Sequence, residues 1–359
     1  MWPDRRLLEH LGLAHPIVLA PMAGASTPEL VAAVSNAGGL GSLGAAMMPP
    51  ETIRAAIREI RRQTQRPFAI NLFTYDVPAP DAATVARMKE RIGGYVKALG
   101  RDPAALPAMP PLPDMAKQMD VVLEEAPPVF SFTFGMPPRD DVAALHAKGC
   151  YVIGTATTVA EAKALAELGV DAVTAQGSEA GGHRGTFAAP VEDSLIGTMA
   201  LVPMVADAID LPVIAAGGIM DGRGIAAALM LGAAGAALGT AFLACPENTA
   251  VNPLYRQTLL GGGGAPTRVT RAYTGRYARF IKNHFVAEME ATPADIPAYP
   301  HQIPLTSPLR AIASDMKNAE IMPMLAGQAY PMIRPMPAGE LVQALVREAG
   351  DRLVRDAAR

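Results

Sequence analysis

The chain has 359 residues, of which 50% are hydrophobic and 18% are charged, which is enough for one large domain with a full core or for two smaller ones. The formal net charge is -3 and the chain has no basic stripe, which argues against nucleic-acid binding. The amino-terminal residues lack a signal-peptide core, and no run of about 18 apolar residues is free of charges and turn formers, so we expect no membrane span.

The two cysteines, Cys150 and Cys245, are too few for a disulfide framework and lack the spacing of metal ligands. No group of histidines and carboxylates has metal-site spacing either. We therefore expect buried thiols, no metal and a reducing, cytoplasmic location.

Short apolar runs alternate with helical patterns along the first two thirds of the chain. The predicted strands lie at residues 17–20, 40–43, 68–72, 129–134, 151–154, 172–176, 213–216 and 236–239. Predicted helices lie between them at 28–37, 50–64, 142–147, 159–168 and 224–231. Thr27 is a candidate N-cap for the first of these helices.

Strands that alternate with helices imply parallel pairing and right-handed crossovers. Eight such strands favour a closed (β/α)8 TIM barrel, an α/β fold, over an open doubly wound sheet. The G-x-G-x-x-G expected after the first strand of a dinucleotide-binding sheet is absent, since Ala-Pro-Met-Ala-Gly stands there instead.

Two segments depart from a bare barrel. Residues 75–128, between the third and fourth strands, are proline-rich with helical patterns at 83–99 and 114–125, and we interpret them as a partly helical insertion at the barrel mouth. Residues 246–359 form a C-terminal region that covers the mouth, contains a glycine run at 261–264 and ends in a helix from about Gly339. The barrel itself is assigned to residues 1–74 and 129–245.

The nine residues from Gly177 to Gly185, with the sequence GSEAGGHRG, directly follow the sixth predicted strand. In a barrel of this kind the loops at the carboxyl ends of the strands build the site. Glycines let the backbone approach a planar ligand, and the imidazole of His183 can donate a hydrogen bond or take a proton near neutral pH. His183 is the candidate catalytic residue, while Glu179 is interpreted as a solvated loop charge.

A Gly-Gly pair, Gly217-Gly218, follows the seventh strand, and a Gly-Thr pair, Gly239-Thr240, follows the eighth. Loops seven and eight of barrels frequently hold a phosphate on backbone amides, helped by a helix amino terminus. The two pairs together, in this order, predict a phosphate site, and no competing G-x-x-x-x-G-K-[ST] run is present.

The chain resembles the class I nitronate monooxygenases, formerly called 2-nitropropane dioxygenases, from about residue 7 to residue 350. The stretch around His183 is the specific part of the match. The matching stretches are APMAG at 20–24, NLF at 71–73, FSFTFG at 130–135, QGSEAGGHRG at 176–185, AGGI at 216–219, GT at 239–240 and MLAGQ at 324–328.

The resemblance implies an FMN-dependent barrel that oxidises alkyl nitronates, such as propionate 3-nitronate, with O2 to carbonyl compounds and nitrite, without a nicotinamide cofactor. His183 would be the active-site base for neutral nitroalkanes. The phosphate would lie on Gly217, Gly218, Gly239 and Thr240. The remaining cofactor contacts would come from Pro21, Met22, Asn71, Gln176, Gly181, Ala237 and Leu238. Expected partners are the nitronate and O2, in a monomer or homodimer.

Two alternatives remain open. One is an FMN-dependent NAD(P)H reductase, either an enoyl-acyl-carrier-protein reductase with a similar Glu-Ala-Gly-Gly-His stretch or a quinone reductase. The other is a non-catalytic flavin-binding protein, although flavin binding alone does not require an imidazole at the ring. Tyr299, Tyr330, Lys317 and Arg279 are weaker candidates for an anion-binding rim.

Overall fold

The computed structural model describes residues 2–105, 112–261 and 264–357. Its strands in chain order are β1 (Ile17–Leu19), β2 (Gly41–Gly44), β3 (Phe68–Phe73), β4 (Val129–Thr133), β5 (Tyr151–Ala156), β6 (Ala172–Gln176), β7 (Gly182–His183), β8 (Val213–Ala216), β9 (Gly235–Leu238), β10 (Thr267–Thr270) and β11 (Ala278–Ile281).

The helices are α1 (Arg6–Leu11), α2 (Pro28–Asn36), α3 (Pro50–Gln63), α4 (Ala82–Ala98), α5 (Met115–Glu125), α6 (Arg139–Ala147), α7 (Val159–Leu168), α8 (Thr198–Ala206), α9 (Gly222–Met230), α10 (Pro253–Leu260), α11 (His284–Glu290), α12 (Ile303–Asp315) and α13 (Ala338–Ala357). No helix of the described ranges is long and apolar enough to span a bilayer.

Eight parallel strands form the predicted barrel, in the order β1-β9-β8-β6-β5-β4-β3-β2. A parallel bridge between Val18 and Leu40 joins the first and last strands of this order and closes the sheet. The (β/α)8 fold predicted from the sequence is therefore confirmed, and the strand positions agree to within one or two residues at each end.

Helices pack around the barrel because each presents an apolar face to it. On α3, Ile53, Ile57 and Ile60 are fully buried at helical spacing, as predicted. The predicted N-cap is confirmed as well, since the Thr27 hydroxyl oxygen accepts a hydrogen bond from the amide of Leu30 at 3.2 Å. The helix predicted at 142–147 begins earlier, at Arg139.

The amino-terminal end of the barrel is filled by α1. Leu7, Leu8 and Leu11 of this helix pack with Val18 and Leu40 of the barrel wall. The side chains of this cluster are apolar and buried, whereas the polar side chains of Asn71, Gln176 and His183 lie at the opposite, carboxyl end. This filling leaves the carboxyl end of the strands to form the site.

The sequence did not predict helices α1, α8, α10, α11 and α12 or the second sheet. Helix α8 has the sequence TMALVPMVA, which contains a proline and no charged residue, so it lacks the amphipathic period by which a helix is recognised. A second, antiparallel sheet pairs β7 with β11 and β11 with β10. Strand β7 has only two residues, which is too short for any periodicity to show.

The predicted helices between the third and fourth barrel strands are present as α4 and α5. Helix α13 matches the predicted closing helix and packs Leu341, Val342 and Leu345 against the barrel helices. In the predicted glycine loop, Gly262 and Gly263 lie outside the described residues.

Candidate functional site

A cavity of about 350 Å³ opens at the carboxyl ends of the barrel strands. It is lined by His183 and by ten of the eleven residues predicted to bind a cofactor: Pro21, Met22, Asn71, Gln176, Gly181, Gly217, Gly218, Ala237, Gly239 and Thr240. Leu238 is the exception. Its side chain is buried between barrel and helices, and its carbonyl accepts the amide of Ala20 at 3.0 Å, so it supports the cavity wall without facing the cavity.

The position of His183 is set by the second sheet. Strand β7 pairs His183 with Ala278 of β11, and the amide of the next residue, Arg184, donates to the carbonyl of Tyr277 at 2.8 Å. Gln176, at the end of β6, donates its side-chain amide to the His183 carbonyl at 3.0 Å. The backbone of the histidine is therefore held from the barrel on one side and from the C-terminal region on the other.

The His183 ring lies among aromatic side chains. Ring centroids of Phe73, Phe134 and Tyr299 lie 6.0, 5.4 and 5.8 Å away, all in edge-to-face arrangements. Burial lowers the pKa of His183 to about 3, and the positive charge of Arg276 contributes to this shift. Both effects favour the neutral form of the imidazole.

Arg276 packs against Phe134, one of the three aromatic residues around the His183 ring. Its guanidinium lies 4.0 Å from the Phe134 ring centroid and donates to the carbonyl of Thr186. Phe134 has a φ of 86°, which is unusual for a bulky residue, and this conformation places its ring between Arg276 and His183.

Replacing Arg276 with Met should raise the pKa of His183 from about 3 toward its ordinary value, because one repulsive charge is removed while burial remains. An NMR pH titration of the His183 ring protons measures this shift. Lys163→Met, which removes an exposed positive charge on α7, is the matched control. An unchanged His183 pKa in the Arg276 variant would show that the charge does not act on the ring.

The side chain of Gln176 also makes hydrogen bonds to the loop that carries His183, which the sequence did not predict. Its side-chain oxygen accepts the amide of Gly185 at 2.8 Å and a guanidinium N–H of the buried Arg184 at 3.3 Å. Arg184 also donates to the carbonyls of Gln176 and Ser194. The side chain of Gln176 thus stabilises the loop that carries His183 while it lines the cavity.

The predicted phosphate loops lie at one edge of the cavity. Gly217 and Gly218 have φ values of 119° and 71°, which favour glycine. A Cβ at Gly217 would lie 2.8 Å from the Thr198 hydroxyl oxygen, so the loop has no room for a side chain. Gly239 precedes a single 3-10 turn that begins at Thr240.

The helix that follows the first of these loops does not contribute the anion site that the sequence suggested. The amides at the start of α9 are already used, because Asp221 accepts those of Arg223 and Gly224, and Glu348 accepts that of Gly222 at 2.9 Å. The start of α9 therefore offers no free amide to a phosphate, whereas Gly239 and Thr240, at the start of the 3-10 turn, both line the cavity.

Glu179 is not a solvated loop charge. Its carboxylate accepts the backbone amide of Thr198 at 2.9 Å and the Thr198 hydroxyl at 2.8 Å, and so caps α8. Its carbonyl accepts the amide of Gln328 at 2.9 Å. Glu179 therefore ties the histidine loop to α8 and to the C-terminal region, and it does not orient the His183 ring.

Polar side chains line the cavity where it enters the barrel. Asn71 is 2% exposed and donates to the Ser131 hydroxyl oxygen at 2.9 Å. Among the described side chains, the buried hydroxyl of Ser42 has no hydrogen-bond partner. Such a group needs a partner from a ligand or from water, because an unsatisfied buried hydroxyl is costly.

The C-terminal region contributes wall residues that sequence reasoning largely missed. Tyr255, Thr274, Tyr299, Arg310, Leu325 and Gly327 all line the cavity. Of the four candidate rim residues, only Tyr299 lines it. The other three do not: Arg279 donates to the carbonyl of Ser178, Tyr330 donates to that of Ala265, and Lys317 is exposed. In the sequence, the MLAGQ stretch at 324–328 and the candidate Tyr299 were the signals that this region takes part in the site.

Within the ranges that the structure covers, no group of three or more histidine, cysteine or acidic residues is arranged to hold a metal ion. The wall of the cavity is instead built largely from aliphatic side chains and glycine backbone, together with small hydroxyl side chains, aromatic rings and the imidazole of His183. These are groups suited to an organic ligand that carries an anionic end.

Comparisons with known proteins agree with this chemistry. The sequence profile of the family described as "Nitronate monooxygenase" matches residues 5–348. A "Probable nitronate monooxygenase" of Staphylococcus aureus strain Newman is 38% identical over 97% of this chain and 98% of that protein.

Among solved structures, nitroalkane oxidase from Streptomyces ansochromogenes superposes with a TM-score of 0.88 at 40% identity, covering 98% of this chain and 99% of that one. FabK from Thermotoga maritima superposes with a TM-score of 0.76 at 29% identity, covering 98% of each chain.

Proposed function

Because the chain belongs to the nitronate monooxygenase family, which makes it an oxidoreductase, we propose that it uses FMN to oxidise alkyl nitronates with O2 to carbonyl compounds and nitrite. The observation that carries the proposal is that the imidazole of His183 faces the same cavity as Gly239, Thr240 and the Gly217-Gly218 loop, in which Gly217 has no room for a side chain.

The residues of the cavity fit FMN. The amides of Gly217, Gly218, Gly239 and Thr240 would bind its phosphate, since this edge combines glycine backbone with a 3-10 turn. Contacts with the rest of the cofactor would come from polar and small residues of the barrel end, which include the unpartnered hydroxyl of Ser42 together with Pro21, Met22, Asn71, Gly181 and Ala237. When bound, FMN supplies the capacity to accept electrons from the substrate and to react with O2.

The chain's own part in the reaction is to position the substrate and to control protons. A nitronate is already a carbanion equivalent and needs no base. A neutral nitroalkane must first lose a proton from carbon, and the unprotonated ring of His183, which lines the cavity, would accept it. The aromatic rings of Phe73, Phe134 and Tyr299 exclude water around this imidazole, which strengthens its interaction with an anionic nitro group.

The deciding experiment compares nitronates with NADH. The purified protein should be yellow and release FMN on denaturation, and ethylnitronate or propionate 3-nitronate should drive O2 uptake with formation of nitrite. Reduction of the flavin by NADH without any response to nitronates would support a reductase instead. A protein that neither contains nor takes up flavin would contradict the cofactor assignment.

A glycine substitution tests the phosphate site. Gly218→Ala should weaken FMN binding at least about tenfold, because the added methyl would lie 3.3 Å from the Glu179 Cβ and would shift the loop amides. Titration of apoprotein with FMN, followed by quenching of flavin fluorescence, measures the change.

Gly149→Ala is the matched control for that substitution. Gly149 has a similar φ of 76°, so alanine meets similar backbone strain, of about 1–2 kcal/mol, but nothing lies within 4 Å of the new methyl and the site is remote from the cavity. Equal loss of FMN affinity in both variants would mean that backbone strain alone accounts for the effect.

A further inference from the structure

Thr274 makes the one polar contact described for the His183 ring. The hydroxyl oxygen of Thr274 lies 3.0 Å from Nε2 of His183, and both residues line the cavity. The other ring contacts described are edge-to-face arrangements with three aromatic side chains, which offer no comparable acceptor. The hydrogen bond to Thr274 is therefore the contact that can select which ring nitrogen carries the proton.

The single proton of the Thr274 hydroxyl is already committed. The hydroxyl donates to the carbonyl of Arg276 at 3.0 Å, and its oxygen also lies 3.3 Å from the amide of Arg276. If the hydroxyl turned toward Nε2 instead, two oxygen lone pairs would face each other across 3.0 Å. The hydroxyl oxygen therefore acts as an acceptor toward the ring, and Nε2 carries the proton.

The loop that holds Thr274 is fixed on both sides of it. Gln302 donates to the carbonyl of Ala272 at 2.8 Å, and Thr306 donates to that of Tyr273 at 2.6 Å. Arg271 donates to the carbonyl of Gly275 at 3.0 Å. Three side chains thus hold three of the backbone carbonyls around Thr274, and its hydroxyl is presented to the ring in one position.

Gly275 packs the same loop closely against the backbone of residues 297–299. It has a φ of 82°, and a Cβ there would lie 2.4 Å from the carbonyl oxygen of Pro297. The loop can pack this closely only because the residue after Thr274 has no side chain. The close packing at Gly275 therefore helps to fix the position of the Thr274 hydroxyl next to the His183 ring.

We propose that Thr274 is a positioning residue that holds neutral His183 as the Nε2–H tautomer and so leaves Nδ1 as the nitrogen that exchanges protons with the substrate. The catalytic meaning of this assignment rests on the proposed function. In the proton transfer, the C–H bond of a neutral nitroalkane breaks, its electron pair stays on the substrate as the nitronate, and the proton bonds to Nδ1. The products of this step are a nitronate anion and an imidazolium, so charge balances and no redox partner is needed.

The test reads the tautomer directly. In the holoenzyme labelled with 15N-histidine, the protonated and bare ring nitrogens of a neutral imidazole have distinct 15N chemical shifts, and the His183→Asn variant identifies the His183 signals. We expect Nε2 to be protonated in the wild type and in Thr274→Ser, which keeps the hydroxyl. In Thr274→Val, which has the same shape without the hydroxyl, a measurable share of the proton should move to Nδ1.

Kinetics supply a second readout. Thr274→Val should lower kcat for a neutral nitroalkane about tenfold or more, while Thr274→Ser and the oxidation of preformed nitronates stay near wild type. A wild-type ring protonated at Nδ1, or a Thr274→Val ring with an unchanged tautomer, would overturn the proposal. The NMR result does not depend on which substrate the enzyme oxidises, so a failure of the proposed function would be recognised separately by the nitronate assay.

Discussion

His183→Asn should lower the rate of oxidation of neutral nitroalkanes by about 10²–10⁴-fold, the usual contribution of a general base, and should affect preformed nitronates far less. The reason is that only the neutral substrate has to lose a proton from carbon. Asparagine retains a hydrogen-bond donor for the nitro group but cannot accept the proton at neutral pH. O2 uptake with nitroethane and with ethylnitronate, on the same preparation, gives the two rates.

The bound flavin is the internal control for this variant. The His183 side chain is not among the groups proposed to hold the phosphate, so the FMN content of His183→Asn should equal that of the wild type. His284→Asn, at an exposed histidine on α11, should leave both rates unchanged. Equal losses with nitroethane and ethylnitronate in His183→Asn would contradict the role as a base and would indicate that the residue binds the nitro group in both substrates.

Glu161→Ala should lower the free energy of unfolding by about 3–5 kcal/mol, the range expected when one partner of a buried charged network is removed. Glu161, on α7, is fully buried. Its carboxylate accepts the amide and the hydroxyl of Thr157 at 2.7 and 2.6 Å, and the amides of Phe187 and Ala188 at 2.6 and 2.9 Å. Alanine would leave the buried amide and hydroxyl of Thr157 without this acceptor. Urea unfolding followed by circular dichroism measures the loss.

Glu167→Ala is the matched control, because it removes an exposed carboxylate from the same helix. It should change the free energy of unfolding by less than about 0.5 kcal/mol. A comparably small effect of Glu161→Ala would show that the loop at 186–188 finds other acceptors.

The contribution of Glu161 to the free energy of unfolding is expected to decrease at low pH. Burial opposes ionisation, but the hydrogen bonds from Ala188, Thr157 and Phe187 outweigh it and lower the pKa of Glu161 below its ordinary 4.5. Its stabilising contribution is therefore complete above pH 4.5 and is lost as the pH falls through the lower folded-state pKa. Below that pKa, the difference in stability between wild type and Glu161→Ala should shrink.

The barrel could be predicted from the sequence because its signals are local. Each barrel strand is a short apolar run, and each is separated from the next by a helix or a turn signal such as Thr27 or Gly169. The glycine pairs and His183 could be located for the same reason, since each directly follows such a strand and the carboxyl ends of parallel strands meet at one edge.

The unpredicted parts depend on contacts between residues far apart in the chain. Nothing near Glu179 indicates that its carboxylate caps a helix beginning at Thr198, and nothing near Thr274 indicates that its hydroxyl meets His183. At α9, the N-cap Asp221 is a local signal, but Glu348 reaches the same helix terminus from the last helix of the fold. A charge or hydroxyl in a loop does not reveal its partner by spacing alone.

Because β7 pairs with β11, the C-terminal region determines the direction in which the His183 side chain points. Successive side chains of a strand point to opposite sides, so a slip of one residue in this pairing would turn the imidazole away from the cavity. A deletion between Thr270 and Ala278 would thus misdirect a histidine that belongs to a distant part of the sequence. The barrel and its C-terminal region therefore have to change together, and an exchange of either half between relatives is expected to succeed only where the alignment of these two strands is preserved.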